Sequence, residues 1–595
     1  MSFKDVFINR SEYYESLEKE YSRRLHHLGN LRLIAFLAGA AGSAYGYFTG
    51  GPAWAAGVLL LFLPVFITLI MKYSKMKKDM EIAGAMLEIQ RRYLSRIDGT
   101  WVRFEDCGLE FVDSSHPYTY DLDVFGRQSL FQMISVAQTV VGRNHLKALL
   151  AGPSRDIETI NKRQSAVKEL GANLEFCQRL QCQGLLADGM LDSESLVDYA
   201  EEPLLLSKAI SIIRVLPVFT GLGFLMSWGG WMHLWVPMLL LSVQGLIFVL
   251  GFWKIQPELN RVYLFHKKLE VFKNMFRLIE SEEFEDDYLS VLRSGLQGEK
   301  APASVGMKKL EKISDAIDLR YQPIVYFILG ILLLWDFHCV LQLERWKNEN
   351  GGKVREWFEI IGAFEALSSL SVILHIYPEW VFPEIQEHGM GVMAQDVGHP
   401  LLQQDKCVRN DIEIRQYSCI VTGSNMSGKS TYLRAVGLNL VLAYSGTSVC
   451  AREFCCSMLD IYTSMVIRDD LMGGISTFFA ELTRIEMILK HSRQGRPMIY
   501  LIDEIFRGTN SLDRIAGART VLRELSRNGA IGLISTHDFE LCDLEEDQEV
   551  SFRNCHFEEQ YVEGGIKFDY ILRPGRCTTS NARYLMNMVG IQVPE

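Results

Sequence analysis

Residues Gly423 to Ser430, GSNMSGKS, fit the spacing G-x-x-x-x-G-K-[ST]. The chemistry of that spacing is phosphate binding. Its glycines let backbone N–H groups curl around phosphate oxygens, and a helix starting at the loop's end adds its dipole. The candidate binding set is Gly423, Ser424, Asn425, Met426, Ser427, Gly428, Lys429, Ser430 and Thr431. Lys429 is expected to reach the β and γ phosphates of a nucleotide such as ATP, and Ser430 to ligate Mg2+. A short apolar stretch, SCIVT, precedes the loop and STYLRAVGLNLVLAY follows it. That predicts strand, loop, helix, which is the context the motif requires.

The loop needs acids, and PMIYLIDEIFRGT supplies them. Four apolar residues, Ile499 to Ile502, suit a buried parallel strand. Asp503 and Glu504 follow at its carboxyl end, where open α/β sheets bind ligands. Asp503 is expected to hold the Mg2+ shell, and Glu504 to polarise the attacking water as general base. A third apolar strand, AIGLIST, ends in Ser535-Thr536-His537, which places His537 to sense the γ-phosphate. In DDLMGGISTFFAELTRIEMIL, Gly473 and Gly474 precede Ser476 and Thr477, which open an amphipathic helix. Its N-terminus is either an anion site, in its own subunit or across a dimer, or an ordinary N-cap. Lys429, Ser476, Glu504 and His537 are thus the catalytic candidates, and Ser430 and Asp503 the metal candidates.

A sheet must hold these pieces. From about residue 391 short apolar strands alternate with helices, which predicts an α/β domain with a mainly parallel sheet over 391–595. HIYPEWVFPEI, with two prolines, marks the boundary before it. Residues 81–205 read as mostly helical, with a short extended patch around Trp101 to Val112. Residues 255–390 read as long helices, amphipathic in NRVYLFHKKLEVFKNMFRLIE.

Two paired apolar runs interrupt the helices. Within 1–80, runs at 33–48 and 53–71 are joined by an uncharged turn, with Arg23, Arg24 and Arg32 before and Lys72, Lys75, Lys77 and Lys78 after. Within 206–254, runs at 215–231 and 234–253 flank a turn carrying Trp228, Trp231 and Trp235. Each run is near the minimum needed to cross about 30 Å of hydrocarbon. The charges put both ends of each pair on the cytoplasmic side. Four membrane-spanning helices are therefore expected, as in a multi-pass protein of a bacterial inner membrane with every soluble part in the cytoplasm. A third apolar run, Ile324 to Trp335, is too short to span and reads as a buried core helix. The fold class expected is multidomain: a C-terminal α/β P-loop NTPase domain, an all-α core or lever region, and two transmembrane helical hairpins.

Composition narrows the function. A net charge of −11 argues against a whole-protein basic surface for DNA, though not against a local groove. Twelve cysteines without a C-x-x-C pair read as reduced, buried thiols. No cleavable signal peptide is evident, since the first apolar run follows some thirty mostly polar residues.

TGSNMSGKSTYLR, DDLMGGISTFFAELTR, LIDEIFRGTNSLD and STHDFEL, in this order, resemble the MutS family of DNA mismatch repair ATPases. HPLL at His399 and VRND at Val408 to Asp411 look like that family's entry to the ATPase domain, and residues 552–595 like its tail, with YVEGGIKFDYILRPG as a hairpin. The resemblance runs more weakly upstream to about residue 120. It implies a homodimer with composite ATP sites, with Ser476 acting in trans on the γ-phosphate and Asn425 close to it. It also implies motion relayed through long helices. Departures accompany it. The amino-terminal mismatch-reading domain with its Phe-x-Glu wedge has no counterpart, and the second hairpin lies where the family inserts its DNA clamp. Ser424 and Ser427 stand where the family often has Pro and Gly, which should not disturb phosphate binding. The leading expectation is a membrane-anchored ATPase with DNA binding in a repair-like role. The alternative is an ATP-driven switch acting on a membrane or protein partner; a transporter ATPase ranks third.

Overall fold

A computed structural model describes the chain except residues 1–2, 188, 204–212, 214, 299–300, 388, 425, 466–476, 508–509, 563–564 and 578–595. The chain divides into two units interleaved in sequence: Met1–Arg91, Ala137–Asn144 and Asn173–Ala366 form the first, and Arg92–Val136, His145–Ala172 and Leu367–Glu595 the second. This division does not follow the consecutive segments read from the sequence.

In the second unit the described strands are β1 Glu384–Gln386, β2 Val392–Val397, β3 Asn410–Ile414, β4 Ser418–Thr422, β5 Glu453–Ser457, β6 Asp460–Ser464, β7 Met498–Asp503, β8 Ile531–Thr536, β9 Phe552–Val562 and β10 Gly565–Pro574. Six of them make one sheet in the order β10-β9-β4-β8-β7-β6. All its pairings are parallel except the β9–β10 hairpin, which closes antiparallel as expected. The strands β4, β7 and β8 are nearly continuous buried apolar runs because helices cover both faces of a parallel sheet. Helices Thr477–Ser492 and Ser511–Arg527 pack on one face, burying Ile485, Ile488, Leu522 and Leu525 against Tyr500, Ile502 and Ile534. A second, mixed sheet, β1-β5-β2-β3, was not foreseen; its first strand precedes residue 391.

The extended patch expected at 101–112 is instead two 3-10 turns, Thr100–Arg103 and Leu109–Phe111. Gly99 and Gly108, at φ of 73° and 62°, start them in the left-handed region, which turns the chain out of any strand. Trp101 is buried there.

In the first unit, helices Phe3–Gly50 and Pro52–Ile97 form a hairpin turned at Gly51. Glycines let the two helices approach closely: a Cβ on Gly39 would lie 3.3 Å from Phe62 and one on Gly42 3.2 Å from Val58. Ser43 Oγ donates across the pair to the Ala55 carbonyl at 3.3 Å. Leu33, Ile34, Phe36, Phe48, Trp54, Leu60, Leu61 and Met71 remain exposed. The second pair is Leu216–Trp228 and Trp235–Tyr263. Its exposed tip carries Trp228 (90% exposed) and Trp231 (84%). The longer helix bends by 65° between Gly251 and Ile255, where Pro257 cannot donate a backbone bond to residue 253.

By length and composition alone, two described helices could cross a membrane, Pro52–Ile97 and Trp335–Ile376, or up to four if bent pairs count as one span. The apolar stretch of the first is wholly unburied, whereas that of the second is 83% buried and is core. Phe3–Gly50, expected as a span, is not among them, because small residues and tyrosines dilute its apolar run. Leu216–Trp228, at 13 residues, is also shorter than a span. The third apolar run corrects an expectation. Helix Pro323–Leu333 is not buried in a core; Ile324, Phe327, Ile328, Leu332 and Leu333 are exposed.

One close approach tests the central sheet. Gly532 on β8 pairs with Tyr500 on β7, and a Cβ there would lie 2.3 Å from the Tyr500 carbonyl oxygen and 2.5 Å from its ring. Gly532→Ala is expected to destabilise the protein by about 2 kcal/mol or more through overpacking, read as a lower urea midpoint with little change in slope.

Candidate nucleotide-binding site

Backbone conformation shapes the loop between β4 and helix Lys429–Ser445. Gly423 and Gly428 have φ of 145° and 103°. A Cβ on Gly423 would press within 3.0 Å of both Ser427 Oγ and the Phe557 carbonyl oxygen. Gly423 and Ser427 are buried, while Ser424, Met426, Gly428, Lys429, Ser430 and Thr431 line a cavity of about 700 Å3. Asp503 and Glu504 line the same cavity, and Lys406, Phe568 and Tyr570 also face it. Asn425 and Ser476 lie outside the described residues.

Lys429 is buried, and its Nζ donates to the carbonyls of Gly423 and Ser424, each at 2.8 Å. Burial pushes its pKa down, while the charges of Glu504 and Asp503 oppose that shift. Ser430 Oγ donates to Asp503 Oδ2 at 2.8 Å, and Ser535 Oγ donates to Asp503 Oδ1. Strand register explains the meeting: Thr422 lies opposite Thr536 and Asp503 opposite Ser535, so three strands end at one level.

Glu504 sits between the His537 imidazole and the Arg507 guanidinium. His537 Nε2 is 2.5 Å from its Oε1, and Arg507 Nε is 2.9 Å from its Oε2. The hydrogen bond from His537 is the largest influence holding the Glu504 carboxyl below its ordinary 4.5; burial opposes it, and Arg507 adds to it. Arg507 also donates to the Asp503 carbonyl at 2.9 Å and to Asp503 Oδ2 at 3.1 Å.

The turn after β7 is strained. Glu504 and Phe506 have φ of 56° and 61°, a left-handed conformation that costs a non-glycine residue on the order of 1 kcal/mol. Glu481, on helix Thr477–Ser492 and only 2% exposed, holds it there. Its carboxylate accepts from the backbone N–H of Phe506 and, at 3.2 Å, from that of Arg507. The Phe506 ring meets Phe478 edge-on. Across the cavity, Asn410 ties β3 to β10: its amide donates to the Tyr570 carbonyl at 2.9 Å and its oxygen accepts from Leu572 N–H at 2.7 Å. His399 lines the cavity wall, and burial pushes its imidazole pKa down to about 4.

The structure thus brings together Lys429, Ser430, Asp503, Glu504 and His537. Sequence reasoning missed Glu481, Arg507, Asn410 and Tyr570. The first two were visible as charges inside quoted apolar motifs; nothing in the spacing pointed to the others.

Residues 419–594 match the family described as MutS domain V. That segment is similar to MutS domain V. That domain is the P-loop ATPase domain of its family, whose members are ATPases. The chain is 26% identical over 526 residues to the DNA mismatch repair protein MutS of Aquifex pyrophilus, covering 81% of this chain and 59% of that protein. It is 36% identical over 269 residues to the protein of the same name from Thermus aquaticus, covering 45% and 32%. It is also 36% identical over 284 residues to the DNA mismatch repair protein MutS 2 of Haloarcula marismortui, covering 44% and 29%. These matches support a MutS-family protein, and the chain spans three-fifths or less of the length of these relatives.

Two measurements test the geometry. Because the Glu504 carboxyl is held low, the stability it contributes is complete above pH 4.5 and is lost as pH falls through its lower folded value. His537→Ala is expected to move that titration up toward 4.5, read by carboxyl NMR. Glu481→Gln loses one of two backbone acceptors and is expected to destabilise by about 1 to 2 kcal/mol, with turnover falling more than nucleotide affinity.

Proposed function

We propose that this chain is a Mg2+-dependent ATPase, hydrolysing ATP to ADP and phosphate, held to a membrane by its apolar hairpins. One observation carries the catalytic half: Lys429, the Ser430–Asp503 pair and the Glu504–His537 pair converge at one cavity.

The residues fit both ligands. Ser424 Oγ is buried, lines the cavity and has no hydrogen-bond partner among the described residues, so a phosphate oxygen suits it. Ser430 Oγ and Asp503 Oδ2 are hard oxygen donors 2.8 Å apart. Among the described residues no three His, Cys, Asp or Glu side chains form a metal cage, and Mg2+ usually takes one or two protein oxygens with phosphate and water. Bound there, Mg2+ would neutralise charge on the phosphate oxygens. Lys429 would exchange its loop carbonyls for the β and γ phosphates. Glu504, ionised at neutral pH and held by His537, would orient the attacking water and accept its proton.

The resemblance extends this reading to a homodimer with composite sites, Ser476 acting across the interface. The relatives' names support binding of mismatched or branched DNA. A specific observation favours the alternative, an ATP-driven switch on a membrane or protein partner. On helix His266–Ser281, Lys273 is bound to Glu311 at 2.6 Å, which takes one cation out of the basic stripe. Membrane attachment, on the cytoplasmic face of a bacterial inner membrane, is supported by the exposed apolar faces of both hairpins and by the tryptophan tip.

Lys429→Ala is expected to abolish ATP binding and turnover. Glu504→Gln is expected to bind ATP while turnover falls roughly 100-fold or more. Retained ATPase activity in Lys429→Ala sinks the site assignment. DNA affinity of the detergent-purified protein, measured at two salt concentrations on homoduplex, mismatched and branched DNA, separates the two readings: binding that falls steeply with salt supports DNA, and none supports the switch.

A further inference from the structure

The exposed apolar helix Pro323–Leu333 has no place in the four-span reading. It is 11 residues long, about 16 Å at 1.5 Å per residue, half of what a span requires. Its exposed residues Ile324 (78%), Phe327 (57%), Ile328 and Leu332 recur at helical spacing, so they form one face. The opposite face packs on the second hairpin. Tyr326 meets the Phe248 ring at a centroid distance of 5.3 Å, and a Cβ on Gly330 would lie 2.4 Å from that ring, while Phe327, at the border of the exposed face, approaches it at 6.3 Å. Phe248 lies one turn and a half before exposed Trp253, so the helix sits beside the end of the apolar hairpin opposite the Trp228–Trp231 tip.

Its ends are built to return the chain to the same side. Arg320 precedes the helix and Asp336 follows it; Asp336 is buried, Arg320 partly so, and they pair at 3.2 Å. Tyr326 Oη donates to Asp336 Oδ2 at 2.9 Å, and Trp335 Nε1 donates to the Ala316 carbonyl at 2.8 Å. Leu334, at φ 50°, reverses the chain between this helix and the next. Charges that pair with each other at the base of an apolar helix are what a low-dielectric neighbour demands.

We propose that Pro323–Leu333 is a third membrane element, a half-depth helix that lies in the lipid leaflet against the second hairpin with its Ile324–Phe327–Ile328 face on acyl chains. The occupant of this face is lipid rather than a second protein chain, because the helix packs on Phe248 between the exposed Leu246, Val249 and Leu250 of the hairpin helix, and the exposed residues described on this face, Ile324, Phe327, Ile328 and Leu332, are all apolar. This proposal rests on the membrane reading of the hairpins.

The test is photo-crosslinking of the full chain in phosphatidylcholine–phosphatidylglycerol vesicles. p-Benzoylphenylalanine replaces Phe327, Phe219 on the hairpin, or the exposed Val291 on helix Asp287–Gln297, one at a time. Lipid adducts at 327 comparable to those at 219, with none above background at 291, are the expected result. Adducts at 219 and none at 327 overturn this inference while the hairpin reading stands, as do adducts at 327 to a second protein chain. No lipid adduct at either 219 or 327 overturns both.

Discussion

The carboxylate of Asp503 ties together the parts of the nucleotide site. It accepts from Ser430 at the start of the loop helix, from Ser535 at the end of β8 and from Arg507 on the turn beyond β7. Those donors come from three segments widely separated in sequence. They meet only because β4, β8 and β7 are parallel, adjacent and in a register that ends them at one level. The buried apolar runs that make those strands are therefore a condition for the chemistry. So is the contact in which Gly532 admits the backbone and ring of Tyr500.

Electrostatics then decides the state in which the site waits. Two acids, Asp503 and Glu504, face Lys429, Arg507 and His537 within one partly buried cluster. The hydrogen bond from His537 on one oxygen and the Arg507 guanidinium on the other hold the Glu504 carboxyl low against burial. The ammonium of Lys429 rests on loop carbonyls, so binding phosphate exchanges neutral acceptors for charged ones. The strained turn at Glu504 and Phe506 is held by Glu481 from a different helix. A shift of helix Thr477–Ser492 would reach the turn that carries Glu504 through two backbone hydrogen bonds.

Much of this was legible because it is local. The loop's spacing, the acidic pair after four apolar residues and the polar triplet ending β8 each fall within a dozen residues, so their element types followed from pattern. Glu481 was hidden because its partners lie 25 and 26 positions away, and Asn410 because it holds β10 across 160. The mixed sheet was hidden because β1 has three residues and its partner β5 lies about seventy positions on. At 101–112 the left-handed glycines, not the apolar content, set the conformation. The run 324–335 misled for a different reason. Hydropathy reports that a segment avoids water and does not say what replaces the water; only the packing of Phe248 on one side, with the other side exposed among the described residues, separates a core helix from a surface one.

That distinction bears on the whole first unit. A soluble monomer rarely exposes a contiguous apolar patch larger than a few hundred Å2. Here three helical elements, Leu33–Met71, Val215–Trp253 and Ile324–Leu333, each expose rows of large apolar side chains. The glycine contacts at Gly39, Gly42, Gly223 and Gly330 show that the inner faces of these elements are already packed at close range. Close packing through small residues is how helices associate where lipid removes the hydrophobic drive between them. A protein partner would have to match each outer face separately. Under the proposed membrane reading, a lipid phase would cover all three without matching any, and would account as well for tryptophans at the tip of one hairpin and lysines at the base of the other.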